Sequence, residues 1–179
     1  RRVVLKSYLQ LMRPANLVTA VADIIAGAAI AGFLTDATGL PWLILATLGL
    51  YGGGVVVNDV FDARLDAVER PERPIPSGRV PLRNAALLGA GLLGCGVAAA
   101  AFFQPESGII AFCIALATLL YNRAAKHHRL FGPLVMGLCR GGNLLLGMSA
   151  VWPALPVWWP IAVVPVIYIA AITLISQDE

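Results

Sequence analysis

Residues 57–66 read Val57-Asn58-Asp59-Val60-Phe61-Asp62-Ala63-Arg64-Leu65-Asp66, and this polar stretch interrupts an otherwise apolar chain. No turn residue occurs before Pro71, so the sequence predicts that one helix continues through the stretch. At about 100° per residue, Asn58, Asp62 and Asp66 step about 40° apart and form one oxygen-bearing stripe. Three hard oxygen ligands on one helical face suit Mg²⁺ bound together with a phosphate.

A simpler interpretation of this stretch stays open at this point. Mixed charges are also typical of a solvated helix end, in which Arg64, Arg70 and Arg73 only neutralise the acids. The choice between a metal site and a neutralised helix end depends on what the rest of the chain places nearby.

A second polar segment contains no acid and reads Tyr121-Asn122-Arg123-Ala124-Ala125-Lys126-His127-His128-Arg129. If it faces the acidic stripe, Lys126 and Arg123 can clamp a diphosphate while a metal neutralises the remaining charge. As an ordinary basic loop it would only set the membrane topology. His127 and His128 are interpreted as exposed loop residues, because adjacent positions on a helix diverge by about 100°.

Composition places the chain in a membrane. Hydrophobic residues make up 59% and charged residues 13% of its 179 residues, and the mean hydropathy is +0.80. A soluble domain of this size would carry roughly a quarter charged residues. The net charge of +3 does not indicate nucleic acid as a partner, since the basic residues occupy short loops. Cys95, Cys113 and Cys139 lack metal-ligand spacing and are interpreted as small apolar residues.

The apolar segments predict an all-α, polytopic transmembrane helix bundle with six spans in this chain. Residues 1–13 form a basic amphipathic lead-in along the membrane interface, and Pro14 starts a helix. The fourth span is shorter than the ~20 residues that cross a bilayer and is expected to be tilted or extended. The predicted spans are Leu17–Leu34, Leu40–Val57, Leu82–Phe103, Gly108–Tyr121, Leu130–Ala150 and Val157–Ile175.

The basic residues alternate between connections. Of 13 Lys and Arg residues, four precede the first span, five lie around the connection between the second and third, and three lie between the fourth and fifth. This alternation predicts that the N-terminus and both polar loops face the cytoplasm. The two loops then share one membrane surface, as a common active site requires.

Three polar residues fall within apolar spans. A charge at the bilayer centre costs about 2.5–3.5 kcal/mol on insertion scales, so Asp23, Arg140 and Asn143 are expected to face partners or a polar cavity. An Asp23–Arg140 ion pair and a substrate-lining role are both open. Arg13 and Asn16, three residues apart at the start of the first span, are expected to reach the same cavity.

The stretch Asn58-Asp59-x-x-Asp62-x-x-x-Asp66 resembles the first Asp-rich motif of the UbiA superfamily of intramembrane prenyltransferases. The resemblance covers essentially the whole chain, as one domain over residues 1–179. It extends to Arg13-Pro14-x-Asn16, to Arg73-Pro74-Ile75-Pro76-Ser77-Gly78-Arg79, to Tyr121 with Lys126, to Gly132-Pro133-Leu134 and to Arg140-Gly141-x-Asn143.

The resemblance implies a bundle of about nine membrane helices, so the chain is expected to be a C-terminally truncated part of a longer protein. It also implies Mg²⁺-dependent prenyl transfer from a polyprenyl diphosphate to a hydrophobic, aromatic or lipid-like acceptor among membrane lipids. Asn58, Asp62, Asp66 and Asp178 would hold the metal, and Asp62, Asp66 and Lys126 would be catalytic. The substrate-binding set would be Arg13, Asn16, Arg73, Arg79, Tyr121, Arg123, Arg140 and Asn143.

The second Asp-rich motif of the superfamily is incomplete in this chain. Gln177-Asp178-Glu179 resembles its end, but the position of its leading Asp, about Ala171, is apolar. This pattern resembles the EboC-like branch. A non-catalytic isoprenoid-lipid binding or transport accessory protein is the main alternative, and CDP-alcohol phosphotransfer and ion-coupled transport are weaker ones. Acceptor, prenyl chain length and oligomeric state are left open by the sequence.

Overall fold

Residues 2–32 and 38–176 are described by the computed structural model, and all regular structure among them is helical. The predicted all-α class is therefore confirmed for this part of the chain. Short 3₁₀ segments follow α6, α7 and α8. The helices are α1 (Arg2–Met12), α2 (Pro14–Ile30), α3 (Leu40–Phe61), α4 (Ala63–Glu69), α5 (Leu82–Phe103), α6 (Pro105–Arg123), α7 (Phe131–Met148), α8 (Leu155–Trp158) and α9 (Val163–Ile175).

The chain bends sharply between α1 and α2. Pro14 begins α2, as predicted, and a proline disfavours the α conformation in the residue before it. Arg13 leaves the helix, but in the left-handed region, with φ 47° and ψ 65°, and not in the extended region that a following proline favours. The helix axes on either side differ by 44°. This bend turns the Arg13 side chain toward the end of α3, which it contacts.

The polar stretch does not continue α3 without a break, so that prediction is wrong. α3 ends at Phe61, and Asp62 has φ −87° and ψ 0°, outside ideal helical geometry. Aspartate competes poorly inside helices because its carboxylate favours caps and turns. The Asp62 N–H still donates to the Asn58 carbonyl at 2.9 Å, and the Asp66 N–H to the Asp62 carbonyl at 2.8 Å. The three residues therefore keep helix-like spacing across a local irregularity.

Small residues let the long helices approach closely. Gly49 and Gly53 of α3 face α5, and a Cβ atom on Gly49 would lie 2.6 Å from the Leu92 carbonyl oxygen. In the same way, a Cβ atom on Gly147 of α7 would lie 2.4 Å from the Ile24 carbonyl oxygen of α2. The α3–α5 contact is matched from the other side, because a Cβ atom on Gly96 of α5 would lie 2.8 Å from the Ala46 carbonyl oxygen of α3.

Long helices that follow one another in the chain run antiparallel. By contrast, α2 and α7 pack in parallel, because Arg140, Asn143 and Gly147 of α7 meet successively later residues of α2. Gly137 of α7 meets the Val166 backbone and Gly141 meets the Ala162 backbone, so α7 and α9 form a hairpin. As a result, the C-terminal ends of α3 and α6 and the N-terminal ends of α2, α5 and α7 lie at one end of the bundle. This end carries both polar loops.

Four helical stretches of the described chain are long and apolar enough to cross a membrane, and a fifth counts if α1 and α2 act as one bent span. One of them, residues 131–175, contains the α7–α9 hairpin, so the predicted number of six spans stays a prediction. α6 begins at Pro105 and ends at Arg123, so the helix extends beyond the predicted segment Gly108–Tyr121, which is one of the two expectations for the short fourth span. Large apolar side chains such as Val18, Phe102 and Ile167 are exposed on the outer helix faces.

Candidate active site

A cavity of about 350 Å³ opens between α2, α3, α6, α7 and α9. Along α3 it runs from Asn58, at the last turn, down to Thr47, three helical turns deeper. Leu50, Ile114 and Ile169 supply apolar wall. Six residues predicted to form the site do line this cavity: Arg13, Asn16, Asn58, Tyr121, Arg140 and Asn143.

A charged rim lies at the end of α3. Lys126, from the 3₁₀ turn after α6, donates to Asp62 Oδ1, so the two polar loops meet as predicted. Arg73 lies in the proline-rich loop between α4 and α5, and it donates to Asp66 Oδ2 at 2.7 Å. Asp66 is buried, and the Lys126 side chain is only 10% exposed. Acids and cations of the two loops are thus interleaved at the cavity mouth.

Asp59 also belongs to the rim, although no role was predicted for it. Its side chain is 6% exposed, and its Oδ1 accepts from Arg13 at 2.8 Å and from Arg73 at 3.4 Å. Arg73 therefore does neutralise acids, as the simpler interpretation of the stretch held. The same guanidinium group has further N–H donors with which it can bind phosphate.

The structure does not bring every predicted residue to the cavity. Arg79 donates to Ser77 Oγ at 2.9 Å, to Gln10 Oε1 at 3.2 Å and to the Glu72 carbonyl, so it ties the proline-rich loop to α1. Arg123 is exposed at the end of α6 and is not part of the cavity wall. Asp178, the fourth predicted metal ligand, lies outside the described residues, as does Gln177.

The side-chain oxygen atoms at the cavity mouth are suitable ligands for a divalent cation. Among the described residues, no three His, Cys, Asp or Glu side chains cluster as a metal site. Mg²⁺ is usually held by one or two carboxylates together with substrate phosphates, however, and not by a cage made of protein alone. The amide oxygen of Asn58 and the carboxylate of Asp62, one turn apart at the mouth, have the chemistry for that role. Ala171, the apolar position of the second motif, is exposed on α9.

A buried polar network lies deeper in the bundle. Arg140 Nε and Asp23 Oδ2 are 2.7 Å apart, so the ion pair, one of the two alternatives left open by the sequence, is present. Asn143 accepts from Thr47 Oγ1 at 2.7 Å and donates to the Ala20 carbonyl at 2.8 Å. Since Arg140 and Asn143 also line the cavity, the ion pair and a place on the cavity wall coexist.

We expect Arg140→Met to destabilise the bundle by about 3 kcal/mol, because it leaves the Asp23 carboxylate without its cation. The double variant Asp23→Leu/Arg140→Met removes both charges and is expected to recover most of that loss. Thermal unfolding in detergent measures both effects. A double variant as unstable as the single one would contradict a compensated ion pair.

Several wall residues were not predicted, because their polar groups look ordinary in an apolar sequence. Thr47, Thr118, Asn122 and Cys139 all line the cavity. The Asn122 amide donates to the Thr118 carbonyl at 2.9 Å, and its buried Oδ1 has no hydrogen-bond partner among the described residues. His128 is exposed, as predicted, and its Nδ1 accepts from the backbone at the start of α7. The side chain of His127 lies outside the described part of the chain.

Comparison with known proteins identifies the class to which this bundle and its charged rim belong. Residues 20–178 match the UbiA prenyltransferase family, which is most of the chain. The chain therefore belongs to the UbiA prenyltransferase family, as the motif at the end of α3 predicted.

Two of the similar proteins share one name. The chain is 35% identical over 177 residues to digeranylgeranylglyceryl phosphate synthase of Methanoregula boonei, covering 97% of the chain and 62% of that protein. It is 34% identical over 155 residues to the enzyme of the same name from Methanopyrus kandleri, covering 87% of the chain and 57% of that protein.

The fold also matches a solved structure from work on digeranylgeranylglyceryl phosphate synthase in membranes. The TM-score is 0.80 at 31% identity, with 89% of this chain and 58% of that chain covered. The chain thus spans about three-fifths of the length of these relatives. The EboC-like branch suggested by Ala171 is not confirmed by these similarities.

Proposed function

We propose that the protein transfers a prenyl group from a polyprenyl diphosphate to a lipid-like acceptor within the membrane. The observation that carries this proposal is the charged rim directly above a cavity with apolar walls. The rim suits a diphosphate and its metal, while the cavity suits an isoprenoid chain and protects a carbocation from water. The basic-residue pattern supports placing the rim on the cytoplasmic side.

In this proposal Lys126 and Arg73 donate hydrogen bonds to phosphate oxygens of the donor. Both already contact acids of the rim, so their charges stand where a diphosphate would dock. Asn58, Asp62 and Asp66 would hold Mg²⁺, with Asp178 as a further predicted ligand. When bound, the metal would neutralise charge on the leaving diphosphate.

The reaction breaks the allylic C–O bond of the donor, and the electron pair of that bond leaves with the diphosphate. The acceptor oxygen or carbon then forms the new bond to the allylic carbon and loses its proton. Rim cations favour the first step because negative charge grows on the leaving group during ionisation. Tyr121, Asn16 and Arg13 border the space where donor and acceptor would meet.

The names of the relatives suggest which substrates to test first. Several are digeranylgeranylglyceryl phosphate synthases, so geranylgeranyl diphosphate is the first donor and geranylgeranylglyceryl phosphate the first acceptor. Using the natural full-length protein in nanodiscs with Mg²⁺, we expect release of diphosphate and formation of a doubly prenylated lipid. Chelation of the metal is expected to stop both.

Mass spectrometry of the lipid products and a diphosphate assay provide the measurement. Metal-dependent binding of the donor without turnover on any lipid or aromatic acceptor would overturn the enzymatic proposal. It would favour the alternative of an isoprenoid-lipid binding accessory protein, which the apolar Ala171 supports.

A further inference from the structure

Asp59 is the second most buried acid of the rim, after Asp66. The proposed mechanism does not use it. Its residue exposure is 5%, and it does not line the cavity, although the preceding residue, Asn58, does. A carboxylate buried this far is stable only with close cationic partners, since its desolvation is costly. Asp59 has two such partners, and they come from distant parts of the chain.

The first partner is Arg13, at the bend between α1 and α2. Among the described residues, Arg13 is the one non-glycine residue with a positive φ. The left-handed conformation raises the free energy of a residue with a Cβ atom by about 1–2 kcal/mol. This conformation lets the Arg13 NH2 group reach Asp59 Oδ1 at 2.8 Å while the side chain also borders the cavity. Strain at a residue that contacts both an acid and a cavity is typical of a functional site.

The second partner is Arg73, whose NH1 group lies 3.4 Å from the same Oδ1 atom and 2.7 Å from Asp66 Oδ2. Two guanidinium groups thus meet at one oxygen atom. Each carries five N–H donors in a rigid fork, and the contacts to Asp59 use one nitrogen of each. Other donors of the two forks can bind phosphate oxygens that enter the mouth.

We propose that Asp59 is a positioning residue that holds Arg13 and Arg73 together at the cavity mouth, so that both bind the diphosphate of the donor. This inference rests on the proposed function. It gives Asp59 a task distinct from that of Asn58, Asp62 and Asp66, because its carboxylate joins two guanidinium groups, whereas Asp66 pairs with Arg73 alone among the described residues.

The direction in which one substitution changes the affinity for diphosphate distinguishes a positioning role from a purely electrostatic one. Asp59→Asn removes a negative charge close to the anionic substrate, so charge alone would tighten diphosphate binding. If Asp59 positions the two arginines, binding instead weakens, by about tenfold or more if one charge-assisted hydrogen bond is lost. Asp59→Glu keeps the charge and is expected to retain part of the affinity.

The experiment measures the dissociation constant of geranylgeranyl diphosphate with Mg²⁺, using the full-length protein in detergent. It compares wild type, Asp59→Asn, Asp59→Glu, Arg13→Gln and the double variant Asp59→Asn/Arg13→Gln. Arg13→Gln is expected to weaken binding strongly in the wild-type background and only slightly after Asp59→Asn. Glu69→Gln, at an exposed acid of α4, is the matched control and is expected to leave the dissociation constant unchanged.

Each result has a distinct meaning. Unchanged or tighter binding in Asp59→Asn, with a lowered unfolding temperature, would make Asp59 a structural brace and overturn the inference. Additive losses in the double variant would also overturn it. A selective loss of Mn²⁺ binding in Asp59→Asn, followed by electron paramagnetic resonance, would make it a metal ligand instead. Absence of donor binding by the wild type would reject the proposed function itself.

Discussion

Asp62→Asn is expected to abolish Mg²⁺-dependent binding of the prenyl diphosphate and to lower any turnover by at least about a hundredfold. The substitution keeps the shape of the side chain but removes the charge that would hold the metal. It also removes the negative charge that pairs with Lys126, so the ammonium group keeps only a neutral acceptor at the rim. Binding of geranylgeranyl diphosphate with and without Mg²⁺, measured by calorimetry, checks this result.

The matched control for Asp62→Asn is again Glu69→Gln, the same change of charge in the helix that follows. Asp62 is partly exposed and lies between α3 and α4, so its substitution should leave the helical content and the unfolding temperature nearly unchanged. A well-folded Asp62→Asn protein that binds the donor as the wild type does would contradict the metal assignment.

Gly147→Leu is expected to prevent stable folding, with a loss of at least about 3 kcal/mol. At this position a Cβ atom alone would lie 2.4 Å from the Ile24 carbonyl oxygen and 2.9 Å from the Ile24 Cα atom. Backbone atoms cannot rotate away as a side chain does, so α2 and α7 must separate. That separation would also pull Asn143 from the Ala20 carbonyl and Arg140 from Asp23. The unfolding temperature and the monodispersity of the detergent-solubilised protein measure the effect.

Gly91→Leu introduces the same side chain at a glycine of α5 where nothing lies within 4 Å of an added Cβ atom. Leucine has the higher helix propensity, so this control is expected to fold as well as the wild type or better. Equal destabilisation of the two variants would show that the loss comes from the added apolar surface and not from the α2–α7 contact.

Much of the helical framework could be predicted because local patterns determine it. Long apolar runs identify the membrane helices, and Pro14 begins α2 as predicted, since its missing N–H costs nothing there. α6, by contrast, begins at Pro105, ahead of the predicted start of the fourth span at Gly108. The meeting of the two polar loops followed from the alternation of basic residues, and the Lys126–Asp62 contact confirms it. The Asp23–Arg140 pair followed from the cost of leaving a charge unpaired in a membrane.

The remaining features depend on tertiary contacts. The irregularity at Asp62 has no Pro or Gly signal, so helical periodicity continued through it in the prediction. The role of Asp59 depends on the left-handed bend at Arg13, and a resemblance based on motif spacing does not show which acid holds arginines. Thr47 and Asn122 could be recognised as wall residues only once α3, α6 and α7 were placed around one cavity.

The four tryptophans of the chain are an intrinsic fluorescence probe of its depth in a membrane. Trp42 stands at the start of α3, and Trp152, Trp158 and Trp159 follow the end of α7, so all four mark the end of the bundle opposite the rim. Trp42 lies against Phe102 with ring centroids 4.5 Å apart, and all four tryptophan side chains are exposed. Their emission should respond to brominated lipids at one face of the bilayer and stay constant when a ligand enters the cavity. Fluorescence thus reports how the protein sits in a membrane, independently of its chemistry.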